Sequence, residues 1–210
     1  MSRLDEYIKR YKGLHTGTDA YYQQDTLVPA GDKKMELFSG LQFSKKFPKY
    51  IRERALQKKS ALTVLDYGCG KGHAPWLPTK ELPTGVWGML RDKVRAFYLY
   101  DPAVPCFAEP PPDGWLFDVV GCADVMEHVP EENVDEVLEH IKKYCKEDGY
   151  LLFSISGSKA YKAFYDKENL HCTIQSSDWW AAKIKTICNR DFTIIHNGPN
   201  GTSVVSGSRQ

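Results

Sequence analysis

The chain has 210 residues, enough for one α/β domain with modest additions and for a full core without disulfide or metal staples. Apolar residues make up 42% and charged residues 26%; Lys plus Arg is 28 against 27 for Asp plus Glu, and the resulting net charge of +1 speaks against a dedicated nucleic-acid surface, leaving room only for a local basic patch at Lys45-Lys46 or Lys142-Lys143. The six cysteines form no CxxC pair and no zinc-type spacing, no apolar segment follows the first residues, and no apolar run exceeds strand length, so the expectation is reduced thiols, no metal, no membrane span and a cytoplasmic location.

Residues 4–12 predict a short amphipathic helix with Leu4, Tyr7, Ile8 and Tyr11 on one face. Residues 13–40, with five glycines or prolines among polar and aromatic residues, predict a loop suited to a lid. Phe43, Phe47, Ile51 and Ala55 recur every four residues and predict a helix over 41–58, with Pro48 at an early turn or a kink. Leu62–Asp66 is an apolar strand stopped by glycines, and the proline-containing stretch 73–93 predicts a short or broken helix. Ala96–Asp101 is a second strand ending in an acid; Pro102–Gly114 is loop; Phe117–Cys122 is a third strand. Glu131–Lys146 predicts a helix on its Val134, Val137, Leu138, Ile141 stripe, between Pro130 and Gly149. Tyr150–Ile155 is a fourth strand, 157–177 a polar insertion, and Asp178–Cys188 a helix capped by Ser176, Ser177 or Asp178. Phe192–His196 and Thr202–Val205 predict a hairpin across the Asn197–Gly201 turn cluster. This alternation predicts a doubly wound, mostly parallel sheet of Rossmann-like type, with an extension and lid-like segment over 1–58 packed on a core over 59–210, one domain overall.

The chemistry concentrates at Asp66-Tyr67-Gly68-Cys69-Gly70-Lys71-Gly72. A glycine cluster after a strand is common and can serve only a tight turn. Here it follows a strong strand, an acid stands two residues before the first glycine, and the next strand ends in Asp101, suited to a ribose diol. Gly68, Gly70 and Gly72 admit a ligand close to the backbone, and free amides there suit a ligand carboxylate. The spacing is G-x-G-x-G rather than the G-x-G-x-x-G of a pyrophosphate cradle, and Asp66 suits a ligand ammonium and repels a pyrophosphate. S-adenosylmethionine (SAM) is therefore favoured over a nicotinamide dinucleotide.

The segment Val64–Gly72 resembles the first motif of class I SAM-dependent methyltransferases, and Asp118–Pro130 resembles the segment after strand four in the small-molecule branch of that family. Asn169-Leu170-His171-Cys172-Thr173, with Trp179-Trp180 behind, resembles an uncharacterised bacterial and phage branch. The resemblance implies about seven strands, the last antiparallel, and methyl transfer from SAM, with Asp66, Tyr67, Gly68, Cys69, Gly70, Gly72, Asp101, Pro102, Ala123 and Asp124 at the cofactor. One departure stands out: residues 102–117 are too few and too rich in proline for the family's usual third strand and its helix, so that strand is expected to be missing or vestigial and the adenine-contacting acid has no place. Phe107 or Pro102 is then a candidate to cover the adenine.

Ligands of open α/β sheets bind beyond the carboxyl ends of the strands, which makes Asp124, Glu127 and His128 candidates for the acceptor site. His128 has the intrinsic pKa of a base; Glu127 can act as a base or anchor an acceptor cation, and both also suit the start of the following helix. His171, on the polar insertion, is a candidate for acceptor binding or proton transfer, or a structural histidine. Trp179 and Trp180 read as packing residues, and Tyr21 and Tyr22 as pocket lining or loop anchors. The [DN]-P-P-[YF] loop of amino-group DNA methyltransferases is absent and Pro105-Cys106 lies after the wrong strand for a cytosine enzyme, so a DNA-base substrate is not expected. The expected activity is methyl transfer to a small-molecule or glycan-type acceptor. The alternatives are an interaction protein that binds SAM without catalysis on a degenerate scaffold, an RNA or protein methyltransferase, and a nicotinamide-dependent enzyme.

Overall fold

A computed structural model describes residues 2–31, 40–76, 85–198 and 201–206. Helix α1, Arg3–Thr16, starts in a capping box between Ser2 and Asp5 and ends at Gly17 in the left-handed conformation. It runs past Gly13, and the Asp19 side chain lies where a Cβ of Gly13 would point. The stretch expected to be loop then holds a hairpin, β1 (Tyr21–Gln23) and β2 (Thr26–Val28), with residues 32–39 outside the described residues. Its two turn residues, Gln24 and Asp25, both have positive φ, the backbone of a tight hairpin turn that Asn-Gly normally announces.

The helix expected over 41–58 is two helices, α2 (Leu41–Lys46) and α3 (Pro48–Lys58). Pro48 brings no N–H and fixes φ, so it opens α3 at its first position instead of continuing α2. Strand β3 spans Leu62–Tyr67; α4, Gly85–Leu90, is the short helix before β4, Val94–Tyr100. Strand β5 spans Phe117–Ala123. Two short 3₁₀ turns, Met126–His128 and Glu131–Asn133, precede α5, Val134–Lys143, which starts later and ends earlier than the expected helix over 131–146 and covers its apolar stripe. Gly149 is not its stop: β6 already begins at Cys145 and runs to Ile155, with a register irregularity opposite Asp118. The polar insertion contains β7 (Lys162–Phe164), and α6 (Ser177–Cys188) is capped by the Ser176 side chain. The last pair is β8 (Phe192–Gly198) and β9 (Gly201–Ser206).

The main sheet has the order β4-β3-β5-β6-β9-β8. The first four strands pair in parallel; β9 runs antiparallel to β6 and to β8. The family resemblance implied about seven strands; among the described residues the main sheet has six, and the stretch between β4 and β5 holds turns and no strand. Side chains alternate across the sheet. Leu65, Val120, Phe153, Leu138 and Trp180 meet on one face under α5 and α6; Val64, Val119, Leu152, Phe43 and Ile51 meet on the other under α2 and α3. A second sheet, β2-β1-β7, packs Tyr21 and Phe164 with Tyr7, Tyr11 and Leu14 of α1 and with Leu170. From β3 the chain moves outward to β4 and then crosses back to β5 on β3's other side, so the crevice beyond the carboxyl ends of β3 and β5 is the topological switch point.

Candidate active site

The glycine loop is built at that switch point. Gly68 and Cys69 donate their N–H groups to the Tyr100 carbonyl at 2.7 and 3.1 Å, Gly70 donates to Asp101 Oδ2 at 2.9 Å, and Gly72 donates to the Cys69 carbonyl at 2.9 Å. Three of these amides hold the loop against the end of β4 and the fourth closes the loop on itself, a correction to the expectation that they are free for a ligand carboxylate. Asp101 also accepts from the Ala103 N–H at 2.9 Å, so this acid shapes the loop as well as facing the crevice. Gly68 has φ +78° and a Cβ there would stand 2.2 Å from Val125 Cγ2; Gly40, at φ +75°, would place a Cβ 2.1 Å from the Cys69 carbonyl oxygen. The segment before α2 is thus laid directly on the loop.

Asp66 is buried, and its Oδ2 has no hydrogen-bond partner. Burial, then the neighbouring Asp101 carboxylate, pushes its pKa well above the usual carboxylate range. Burial also raises Asp101, against the two backbone N–H groups that lower it. Two close acids, one with an orphaned oxygen, form an environment that a ligand ammonium relieves and a pyrophosphate aggravates. The residues present therefore fit SAM.

A cavity of about 1090 Å³ opens over the loop. Tyr67, Gly68, Gly70, Asp101, Pro102, Ala123 and Asp124 line it, as do Glu127, His128 and His171. Asp66, Cys69 and Gly72 are not among its lining residues: Asp66 lies beneath, the Cys69 thiol is fully buried, and Gly72 is covered by the Phe107 ring, 2.7 Å from where its Cβ would stand. Pro102 lines the cavity and Phe107 does not. Tyr21 is buried in the α1 cluster, and Tyr22 lines a smaller cavity of about 340 Å³. Trp180 is core.

Sequence separates Glu127 and His128 from His171 by more than forty positions; backbone hydrogen bonds join them. The N–H groups of Cys172 and Thr173 both donate to the Glu127 carbonyl, at 2.9 and 3.1 Å, and Thr173 Oγ1 donates to the Val129 carbonyl at 2.6 Å. The rings of His128 and His171 meet edge to face with centroids 4.8 Å apart. Glu127 is fully buried; its Oε1 accepts from the Ser156 N–H at 2.8 Å, and its Oε2 has no partner. Burial, then the charge of Asp124, pushes Glu127 up to about 8. His128 is driven down to about 3 by burial and by His171, so its basicity is far below that of a free imidazole. Asp124 has φ +54°, and Ser154 Oγ donates to its Oδ1 at 2.9 Å.

Sequence reasoning missed Tyr11, Gly40, Ser156 and Ser158 as cavity residues. Tyr11 carried only the signal of a core residue on a helix face. Ser156 and Ser158 directly follow the carboxyl end of β6, and the strand-end rule applied there would have found them.

A parallel sheet with a glycine loop at its switch point and an acid closing the next strand defines a Rossmann-like nucleotide-cofactor protein. The family model described as a methyltransferase domain matches residues 41–190, most of the chain, and the chain belongs to that family; it is a SAM-dependent methyltransferase. No curated protein matches the chain. Among solved structures it is similar to the sugar N-methyltransferase KedS8 from a Streptoalloteichus species (13% identity, 81% of this chain and 88% of that one, TM-score 0.53). It is similar to the N-methyltransferase NodS from Bradyrhizobium japonicum, crystallised with S-adenosyl-L-homocysteine (13% identity, 96% and 100%, TM-score 0.51). It is also similar to the 1,6-didemethyltoxoflavin N1-methyltransferase of Burkholderia thailandensis with its substrate and S-adenosylhomocysteine bound (13% identity, 100% and 92%, TM-score 0.53). At that identity these likenesses establish the fold. No described helix is long and apolar enough to cross a membrane.

Proposed function

We propose that the protein methylates a small-molecule or glycan-type acceptor, with Asp66, Asp101 and the glycine loop at the donor end of the cavity and Glu127, His128 and His171 at the acceptor end. The observation that carries this reading is a single cavity whose walls include Gly68, Gly70 and Asp101 as well as Glu127, His128 and His171. Bound SAM supplies an electrophilic methyl group on a sulfonium. The protein's part is to hold the acceptor nucleophile in line with that group and to exclude water. Asp66 neutralises the cofactor ammonium; Asp101 holds the loop and accepts from the ribose; Pro102 lies at the adenine side; Ala123 and Asp124 border the passage between the two ends. Tyr161, 80% exposed at the rim beside Lys159 and Lys162, offers an aromatic face of the kind that sugar rings stack on, which supports the glycan-type class. The Asn169–Thr173 segment supports the bacterial and phage branch.

Calorimetry with S-adenosylhomocysteine tests the donor end: binding is expected in the wild type, and Asp66→Ala and Asp101→Ala each weaken it at least about tenfold, which is about 1.4 kcal/mol. Unchanged affinity in both variants refutes the assignment. Turnover of methyl-labelled SAM across a panel of amino sugars, hydroxylated rings, RNA and peptides tests the acceptor class, and exclusive labelling of RNA or peptide overturns it.

A further inference from the structure

We infer that Glu127, His128 and His171 form a binding site for one divalent transition-metal ion at the acceptor end of the cavity. One ligand atom from each of the three, two imidazole nitrogens and a carboxylate oxygen, lies within 4.8 Å of the others. Three atoms no further apart than that share a point at most roughly 2.8 Å from each, and bonds from zinc to nitrogen or oxygen are about 2.0–2.2 Å, so small side-chain rotations complete the contact.

The partners of the three side chains point the same way. His171 Nδ1 is 2.5 Å from the Ser158 carbonyl, and His128 Nδ1 is 3.0 Å from the Leu170 carbonyl. A carbonyl only accepts, so in both rings the proton sits on Nδ1 and the lone pair on Nε2. A metal-ligating histidine is oriented in this way, its second N–H given to a backbone carbonyl. Tyr11 reinforces it: its hydroxyl donates to the Leu170 carbonyl at 2.6 Å and its oxygen stands 2.8 Å from His128 Nδ1. Glu127 supplies the third element: a fully buried carboxyl, Oε1 occupied by the Ser156 N–H and Oε2 without a partner. No described lysine or arginine forms an ion pair with it. A buried carboxyl with an unpartnered oxygen is costly, and a bound cation removes that cost. Ligand spacing gave no warning of this site, because two ligands are adjacent and the third arrives on a distant loop.

Two imidazoles and one carboxylate suit zinc, manganese, iron or cobalt rather than magnesium, and three protein ligands leave a coordination position open toward the cavity. Resting on the methyl-transfer reading, that position takes an acceptor hydroxyl, whose oxygen keeps a second lone pair for the methyl group and whose proton a bound cation makes easier to lose to solvent.

The test is metal binding itself. Chelator-stripped full-length protein is titrated with zinc, manganese, cobalt or magnesium chloride by calorimetry, with cobalt also followed by its visible absorption. One equivalent of zinc or cobalt per chain is expected, with magnesium far weaker. His171→Ala, on a loop, and Glu127→Gln each weaken zinc by more than about 100-fold, beyond the loss expected for removing an outer-shell partner. Cys106→Ser, which removes an exposed thiol, leaves the affinity unchanged. Absence of stoichiometric binding overturns the site, as does wild-type affinity in His171→Ala with circular dichroism showing an intact fold. S-adenosylhomocysteine affinity is measured separately on metal-free protein: its absence counts against the methyl-transfer reading and leaves the metal stoichiometry standing.

Discussion

The glycine loop works through contacts that a motif does not display. Asp66 and Asp101 were readable in sequence as acids near a cofactor, but their inequality was not: one spends both oxygens on backbone amides and the other keeps an orphaned oxygen. Gly40 was read only as part of a loop, and it is where a distant segment touches the Cys69 carbonyl. Gly40→Ala is expected to cost about 1–3 kcal/mol, since it adds a backbone clash to an unfavourable φ, and to weaken S-adenosylhomocysteine binding. Gly17→Ala shares the positive φ and has open space around it, so it is expected to cost about 1 kcal/mol and leave binding intact. Denaturant melts with parallel calorimetry separate the two, and equal losses would count against the steric account.

At the scale of elements, α1 does more than extend the chain. Arg10 pairs with Asp166 at 2.8 Å and Glu168 at 2.5 Å and lies 3.7 Å over the Phe164 ring; the Tyr7 hydroxyl also bonds Glu168. These contacts fasten α1 to the insertion that carries His171, and Tyr11, 2.8 Å from His128 Nδ1, joins α1 to the turn that carries Glu127 and His128. Removing residues 2–16 is expected to speed amide exchange at 162–171 while the amides of β3, β5 and β6 stay protected, because those strands are covered by α5, α6, α2 and α3. Uniform protection loss would show instead that α1 is required by the whole fold. The cap residues announced the start of α6, and the period of the apolar residues announced α1, α3 and α5, whose faces are buried. It could not announce the β1–β2 turn, because Gln24-Asp25 lacks the glycine that normally marks positive φ, nor the break at Phe47, since Phe43 and Phe47 keep the same face across it.

For the whole molecule, Asp118 on β5 ties together β3, β6 and the end of α3. It accepts from Thr63 N–H and Oγ1 at 2.8 and 2.9 Å, from Lys58 at 3.0 Å and from Lys146 at 2.8 Å. Burial alone would raise its pKa, but the bonds from Lys146, Thr63 and Lys58 outweigh it and hold the carboxyl far below its usual range. A depressed carboxylate contributes stability that is present above the unfolded pKa, about 3.9, and is lost as pH falls toward the folded value. Asp118→Asn is therefore expected to cost about 1–3 kcal/mol at pH 7, less than a fully buried pair since both lysines reach solvent, and to flatten the loss of stability below pH 4. Thermal melts from pH 2.5 to 7 check this; an unchanged acid limb would remove Asp118 from the account.

The sequence by itself determined the order along the chain of the six strands of the main sheet, the glycine loop with the acids around it, and the shortened stretch between β4 and β5. Those are local properties: periodicity, the spacing of glycines, and too few residues for another strand. Only the tertiary structure decided that the loop amides are engaged, that 13–28 continues a helix and then turns back as a hairpin, and that Glu127, His128 and His171 meet. Each of these depends on backbone groups far apart in the chain finding one another, and no residue type records which carbonyl its neighbour's amide will reach.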